Sequence, residues 1–346
     1  MASNKCNIGW NCSMVPEEII YAAGLIPKRI LQVQLDNAYS SEFMPVNFST
    51  FAKGCLDNII DGRHDLQGII LTPGCTSSEF IFDAINDKKS VDFLYMLDVP
   101  RKRNGEALIF FSEQLRRLAD SIEQYFNVQI SHERLRKTIN LFNSIRTQLG
   151  RLKQLLHDGN ISGSTFFDVA VMAATTDKQE ALNKLKASVA SAECQDRIAD
   201  VKKRILLLGS PLQSQEMLLE IERHSGRIVF DDTCIAGTYM GSSVKTEGDL
   251  FDNLAYAYLN SRLCSRMETK MDRINYISNL LNSCDADGVI YNLAKFRICD
   301  CYESVMLNEE LFSKRTYPHF IVIENENRGK PDAVTLTKIE TFMQIL

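Results

Sequence analysis

The chain contains no C-x2-C pair, no H-x-x-x-H spacing and no G-x-x-x-x-G-K-[ST] stretch. These absences remove zinc ribbons, ferredoxin-type ligand runs, two-histidine helical zinc sites and a phosphate-cradling loop of its own. Proline and glycine are scarce, at 8 and 17 in 346 residues, so the chain is neither collagenous nor of low complexity. It has no basic excess either. With 39 Lys and Arg against 44 Asp and Glu, the formal net charge is -5, which leaves nothing to neutralise a phosphate backbone, and nucleic acid is not an expected partner. Apolar runs such as Gly68-Ile69-Ile70-Leu71 fall far short of the ~20 residues of a membrane helix. Lys5 and Asn7 stand where a secretory apolar segment would have to be. A cytoplasmic protein with no membrane span is expected.

What is present is a globular composition, 45% hydrophobic and 24% charged, in a chain longer than one compact core usually holds. Short apolar runs followed by a turn and then by helical periodicity recur twice along it, the signature of parallel βαβ sheets. In the first series the pattern predicts strands at 7–10, 29–33, 68–72 and 93–97 and helices at 17–23, 50–60 and 79–86. From 106 to 200 Leu and Ile recur at i, i+3, i+4, predicting helices at 112–126, 132–156, 164–174 and 178–200. The second series opens with Arg204-Ile205-Leu206-Leu207-Leu208-Gly209-Ser210-Pro211, a buried strand ending in a tight turn. A helix at 214–224 capped by Gly226, strands at 227–232, 288–291 and 319–324, and a helix at 335–346 complete it. The expected architecture is α/β: two Rossmann-like parallel-sheet domains, 1–105 and 201–346, joined by a helical segment, 106–200.

Ten cysteines are many for a chain that needs no disulfide staples, and reduced thiols are expected. Most single cysteines in such a protein are small buried hydrophobes. In open parallel sheets, however, ligands collect beyond the carboxyl ends of the strands. Cys12, Cys75 and Cys234 each follow a predicted strand closely, and Cys299 lies in the loop after another. Thiolates are favoured at helix N-termini and are the form that binds metal. Cys12, Cys75 and Cys299 are therefore candidates to meet in one interdomain cleft, whereas Cys6, Cys194 and Cys264 carry no such signal and Cys301 is either a neighbour of Cys299 or a further ligand. Asp231-Asp232 ends a strand, where it serves either the site or the bracing of a loop.

Five segments, in order along nearly the whole chain, carry a resemblance. Gly9-Trp10-Asn11-Cys12-Ser13-Met14-Val15-Pro16-Glu17-Glu18 with Ala22-Ala23-Gly24 is similar to "G-W-x-x-S-x-x-P-x-E-L-x-x-A-A-G". Gly68-Ile69-Ile70-Leu71-Thr72-Pro73-Gly74-Cys75 is similar to "D-G-V-V-x-P-x-x-C-D". Arg204–Pro211 followed by Asp231-Asp232-Thr233-Cys234-Ile235-Ala236-Gly237 resembles "R-I-x-x-x-G-S-P … D-D-x-C-x-G". Lys295-Phe296-Arg297-Ile298-Cys299-Asp300 resembles a "K-F-C-D" loop, and Leu336-Thr337-Lys338-Ile339-Glu340-Thr341-Phe342 resembles "x-T-R-x-E-A-F". Together they resemble the subunits of the 2-hydroxyacyl-CoA dehydratases and benzoyl-CoA reductases.

That resemblance implies a [4Fe-4S] cluster held by three cysteines, with an open iron. It implies a homologous second subunit, or a second copy of the chain, as partner. A separate ATP-hydrolysing iron–sulfur activator would inject one electron, and a 2-hydroxyacyl-CoA would be the substrate, dehydrated through a ketyl radical at its thioester. Reductases and double-cubane cluster proteins are relatives. Ser13 matches a serine that contacts substrate, but Leu31 stands where the family has an acidic partner, so the alternatives are a non-catalytic electron-relay or structural subunit of such a complex and a double-cubane cluster reductase. The first cluster ligand of the family falls in "C-x-Y/F-x-R", and here the segment is Ser49-Thr50-Phe51-Ala52-Lys53. Cys75 and Cys299 match the other two ligands, and either Cys12 or Cys55 is the expected substitute for the missing one.

Overall fold

A computed structural model describes residues 6–32, 39–74, 76–197, 203–237, 239, 241–261, 264–267, 270–313, 318–326 and 329–346. The first sheet contains β1 (Asn7–Trp10), β2 (Ile26–Arg29), β3 (Gly68–Leu71) and β4 (Phe93–Met96), interleaved with α1 (Glu17–Ala22), α2 (Ser40–Phe43), α3 (Thr50–Ile60) and α4 (Thr76–Lys88). Four helices follow: α5 (Gly105–Phe126), α6 (His132–Asp158), α7 (Gly163–Thr175) and α8 (Lys178–Glu193). The second sheet contains β5 (Lys203–Gly209), β6 (Gly226–Thr233), β7 (Gly288–Ala294) and β8 (His319–Asn325). Around it lie α9 (Glu216–Arg223), α10 (Leu250–Ser261), α11 (Lys270–Cys284), α12 (Ile298–Leu307) and α13 (Ala333–Ile345), with a π-helical turn at Asn308–Phe312. Among the described residues no helix is long and apolar enough to cross a membrane.

The sheets repeat one topology, β2-β1-β3-β4 and β6-β5-β7-β8, with every described pairing parallel. The fold is thus α/β with two Rossmann-like sheets. The central strands β1, β3 and β7 are buried along their whole length, which is why they read as unbroken apolar runs rather than alternating ones. In each sheet the chain leaves the first strand to one side and returns on the other, so a topological switch point lies at the carboxyl ends of β1 and β3, and a second at those of β5 and β7.

One hydrophobic core runs through both sheets and the helices between, joining Trp10 and Ile70 to Phe142 and Leu149 and on to Leu207 and Ile228. Buried ion pairs pin α1 to it. Glu18 pairs with Arg146 of α6 and accepts from the Tyr258 hydroxyl at 2.7 Å, and Glu17 pairs with Lys178 of α8 at 2.7 Å. Removing one member of such a pair strands a buried charge, a loss of about 3–5 kcal/mol, so these contacts fix α1 against the helices around it.

Several elements differ from the sequence reading: α10, α11 and α12 were not predicted, α8 ends at Glu193 rather than at 200, and β2, α5 and the start of β6 are shifted. β2 lies at Ile26–Arg29 rather than 29–33, and the end of the predicted strand at Val33 falls outside the described residues. β2 carries Pro27 but is an edge strand, where a missing N–H is tolerated. α5 starts seven residues early because the Asn104 side chain accepts from Ala107 N at 2.9 Å; the run Leu108-Ile109-Phe110-Phe111 hid the helical period. Gly226 begins β6 and the left-handed residue ending α9's turn is Ser225, at φ 64°.

Candidate functional site

The two switch points face one another across a cleft. After β1 the chain turns sharply, Val15 N donating to Cys12 O at 2.9 Å, and places Cys12 and Ser13 at the cleft wall. Asn11 ties this turn to the end of β3, accepting from Thr72 N at 3.1 Å and donating to Ser78 Oγ at 3.1 Å. Across the cleft β5 ends at Gly209, whose φ of +104° and approach to Asn292 O leave no room for a Cβ. Beyond β6 the loop folds back so tightly that a Cβ on Gly237 would lie 1.9 Å from Asp231 O. Lys153 Nζ holds that loop through Gly237 O at 2.6 Å, and Cys234 is turned into the cleft.

Cys12, Cys234 and Cys264 line one inner cavity of about 60 Å³, room for about two waters. Burial pushes the Cys264 thiol up to about 12, and the neighbouring Cys234 and Cys12 sulfurs add to the shift. Arg29, 2% exposed, stacks on Trp10 with its guanidinium carbon 4.8 Å from the ring. It donates to Ser13 Oγ at 2.6 Å and to Cys234 Sγ at 3.7 Å. Because Ser13 accepts from Arg29, its own hydroxyl hydrogen is left to donate toward the cavity that it lines.

Arg266, Arg297 and Asp300 form a wall between this cavity and a larger outer pocket of about 450 Å³ that holds Cys299. A third opening, of about 360 Å³, has Cys264 and Cys299 both on its lining. Asp300 is buried, which opposes ionisation, yet Arg297 and the hydroxyls of Ser210 and Ser265 hold its carboxyl down to about 2. Those contacts are 2.6 Å from Arg297 Nε, 2.5 Å from Ser210 Oγ and 2.6 Å from Ser265 Oγ. Asp232 and Glu303 are likewise engaged, both by Arg273, at 2.6 and 2.8 Å. The carboxylates of the inner cavity therefore hold arginines in place, and its thiols are the side chains suited to a soft metal. Among the described residues no three His, Cys, Asp or Glu side chains are grouped closely enough for a single metal ion.

The outer pocket brings Cys299, in the first turn of α12, together with Ser49 at the start of α3 and with Gly74 and Thr76. Cys75, between the last two, lies outside the described residues. Cys12 lines the inner cavity instead. Cys55 is 5% exposed, packs with Ile30, Leu56 and Ile69, and has its thiol pushed up to about 12 by burial. It lines neither cavity. Asp231 braces the end of β6, accepting from Thr233 N at 2.7 Å, while Asp232 lines the inner cavity and is held by Arg273.

Sequence reasoning missed Cys264, which sits between α10 and α11 with no strand before it, and the arginines at positions 29, 266 and 297. Arg297 was within reach, since it lies inside the segment Lys295-Phe296-Arg297-Ile298-Cys299 that marks the loop.

Residues 12–346 match the family described as 2-hydroxyglutaryl-CoA dehydratase, D-component. The (R)-phenyllactyl-CoA dehydratase beta subunit of Clostridium sporogenes is 23% identical over 337 residues, covering 96% of this chain and 89% of its own length. A benzoyl-CoA reductase subunit of Thauera aromatica is 23% identical over 345 residues, covering 92% and 85%. The (R)-2-hydroxyglutaryl-CoA dehydratase beta subunit of Acidaminococcus fermentans is 27% identical over 151 residues, 42% of this chain and 39% of that one. With a match running from the turn after β1 through every segment of the cleft to residue 346, the chain belongs to the 2-hydroxyglutaryl-CoA dehydratase D-component family.

Proposed function

We propose that this chain is the iron–sulfur subunit of a 2-hydroxyacyl-CoA dehydratase-type enzyme, with a [4Fe-4S] cluster in the outer pocket held by Cys299 and Cys75. The observation that carries the reading is the meeting of two switch points on a thiol-lined cleft whose inner carboxylates are already committed to arginines. The pocket of about 450 Å³ beside Cys299 has the room. The buried, unpartnered Ser49 hydroxyl on its lining is a polar group awaiting an occupant. When bound, the cluster supplies low-potential one-electron chemistry for the acyl-CoA thioester.

The chain's own residues bind and orient. Ser13, steered by Arg29, presents a donor to the thioester carbonyl or to the departing hydroxyl. Arg266 and Arg297 border both cavities and favour negative charge in either. Met14 on the inner wall helps to exclude water. α12 leaves Ile298, Tyr302 and Val305 exposed as a stripe at i, i+4, i+7 beside the pocket, an apolar face that suits a homologous subunit.

A second reading is favoured by one observation. The set Cys12, Cys234 and Cys264 adjoins the Cys299 pocket, so the cleft gathers more thiols than one cluster uses, a feature on which a double-cubane reductase would draw. The test is turnover of the chain, loaded anaerobically and supplied with a homologous subunit, an ATP-hydrolysing activator and a 2-hydroxyacyl-CoA. Formation of the 2-enoyl-CoA supports the dehydratase. Inertness toward acyl-CoA, with ATP-dependent reduction of small molecules and about eight irons per chain, favours the second reading.

A further inference from the structure

Ser49 occupies the N-cap of α3, where a serine normally turns its oxygen back onto the first helical N–H groups. It does not do so: its side chain makes no cap hydrogen bond, and its Oγ, on a residue 3% exposed, has no partner. Buried hydroxyls are rarely left so, because the group has given up water for nothing. The residue lines the outer pocket with Cys299, and Arg101, Arg266 and Arg297 lie on the same lining. The partner missing from Ser49 is therefore to be sought in what the pocket holds. Of the three residues that compete for the position left by the absent cysteine, Cys12 faces the inner cavity and Cys55 faces the core. Only Ser49 lines the pocket of Cys299.

We propose that Ser49 is an oxygen donor to the iron centre at Cys299, a serine alkoxide serving where the family pattern has a thiolate. This rests on the iron–sulfur reading above. The Oγ–iron bond forms as the hydroxyl proton leaves to water, with no change in electron count, and the arginines on the lining favour the anionic oxygen. An alkoxide is a harder donor than a thiolate and favours the ferric form, so the centre is held at a lower potential than three thiolates would give.

The test compares the wild-type chain with Ser49→Ala and Ser49→Cys, each reconstituted anaerobically with ferrous iron and sulfide. Iron release to a chelator and the midpoint potential are the readouts, and thermal melting of the iron-free proteins checks folding. Ser49→Ala is expected to lose iron at least about tenfold faster while melting like the wild type. Ser49→Cys is expected to keep its iron and to titrate at a more positive potential. The oxidised-to-reduced ratio at a fixed potential should change by about tenfold, or about 59 mV for a one-electron couple. A wild type that loads normally, with Ser49→Ala matching it in release and potential, overturns the role of Ser49 alone. A wild type that takes up neither iron nor sulfide overturns both this and the functional reading. If iron-free Ser49→Ala does not fold, Ser49→Cys decides, and an unchanged potential counts against the proposal.

Discussion

Ser13 is the residue through which substrate chemistry is tested most locally. Its oxygen accepts from a buried arginine, which leaves the hydroxyl hydrogen to donate to another group. Loss of one such donor typically costs a hundredfold or more in rate. Ser13→Ala should lower turnover by about that factor, with iron content unchanged, since a hydroxyl at the inner cavity is not needed to hold a cluster at Cys299. Full activity in the assembled enzyme would make Ser13 a mere anchor for Arg29. The cysteines separate in the same way. Cys299→Ala should abolish iron uptake, while Cys55→Ala should retain it and cost about 1 kcal/mol of stability from lost packing. Iron retention by the first variant, or iron loss by a well-folded second, contradicts the assignment.

At the scale of elements, the loop after β6 carries a pH dependence of definite sign. Asp231 is buried, Thr233 N satisfies Oδ1, and Oδ2 has no partner. Burial pushes its pKa up to about 6. A carboxyl that holds its proton more tightly in the folded chain than in the unfolded one stabilises the fold as pH falls from about 6 toward its ordinary value, and costs stability above that window. Asp231→Asn keeps the acceptor and removes the charge. The melting temperature of the variant relative to wild type should therefore improve as pH rises from 4 to 7.5. A difference that stays flat across that range would show that Asp231 is not the titrating group.

The elements also show what could be read beforehand. β5 was legible because a central parallel strand buries both faces and so writes itself as the run Ile205-Leu206-Leu207-Leu208. Cys12, Cys234 and Cys299 were legible as residues just beyond such strands. Cys264 and Arg29 were not, because their place depends on how the second half of the chain packs on the first, and no local pattern encodes that contact. β2 was read a few residues late; as an edge strand it tolerates Pro27, whose missing N–H would break the ladder of an interior strand.

For the whole molecule, the repeated β2-β1-β3-β4 order explains why one chain offers a cleft with a switch point on each side. The sequence contains no phosphate-cradling loop. The purified chain should not turn over ATP, and hydrolysis should appear only with a separate activator; appreciable hydrolysis by the pure protein would contradict this division of labour.

The central claim, that the cleft is built around an iron–sulfur cluster, is tested most directly by measuring iron and acid-labile sulfide per chain after anaerobic reconstitution. The account predicts about four of each for one cluster, or about eight irons if the inner thiols hold a second. A well-folded chain that binds neither iron nor sulfide would contradict it.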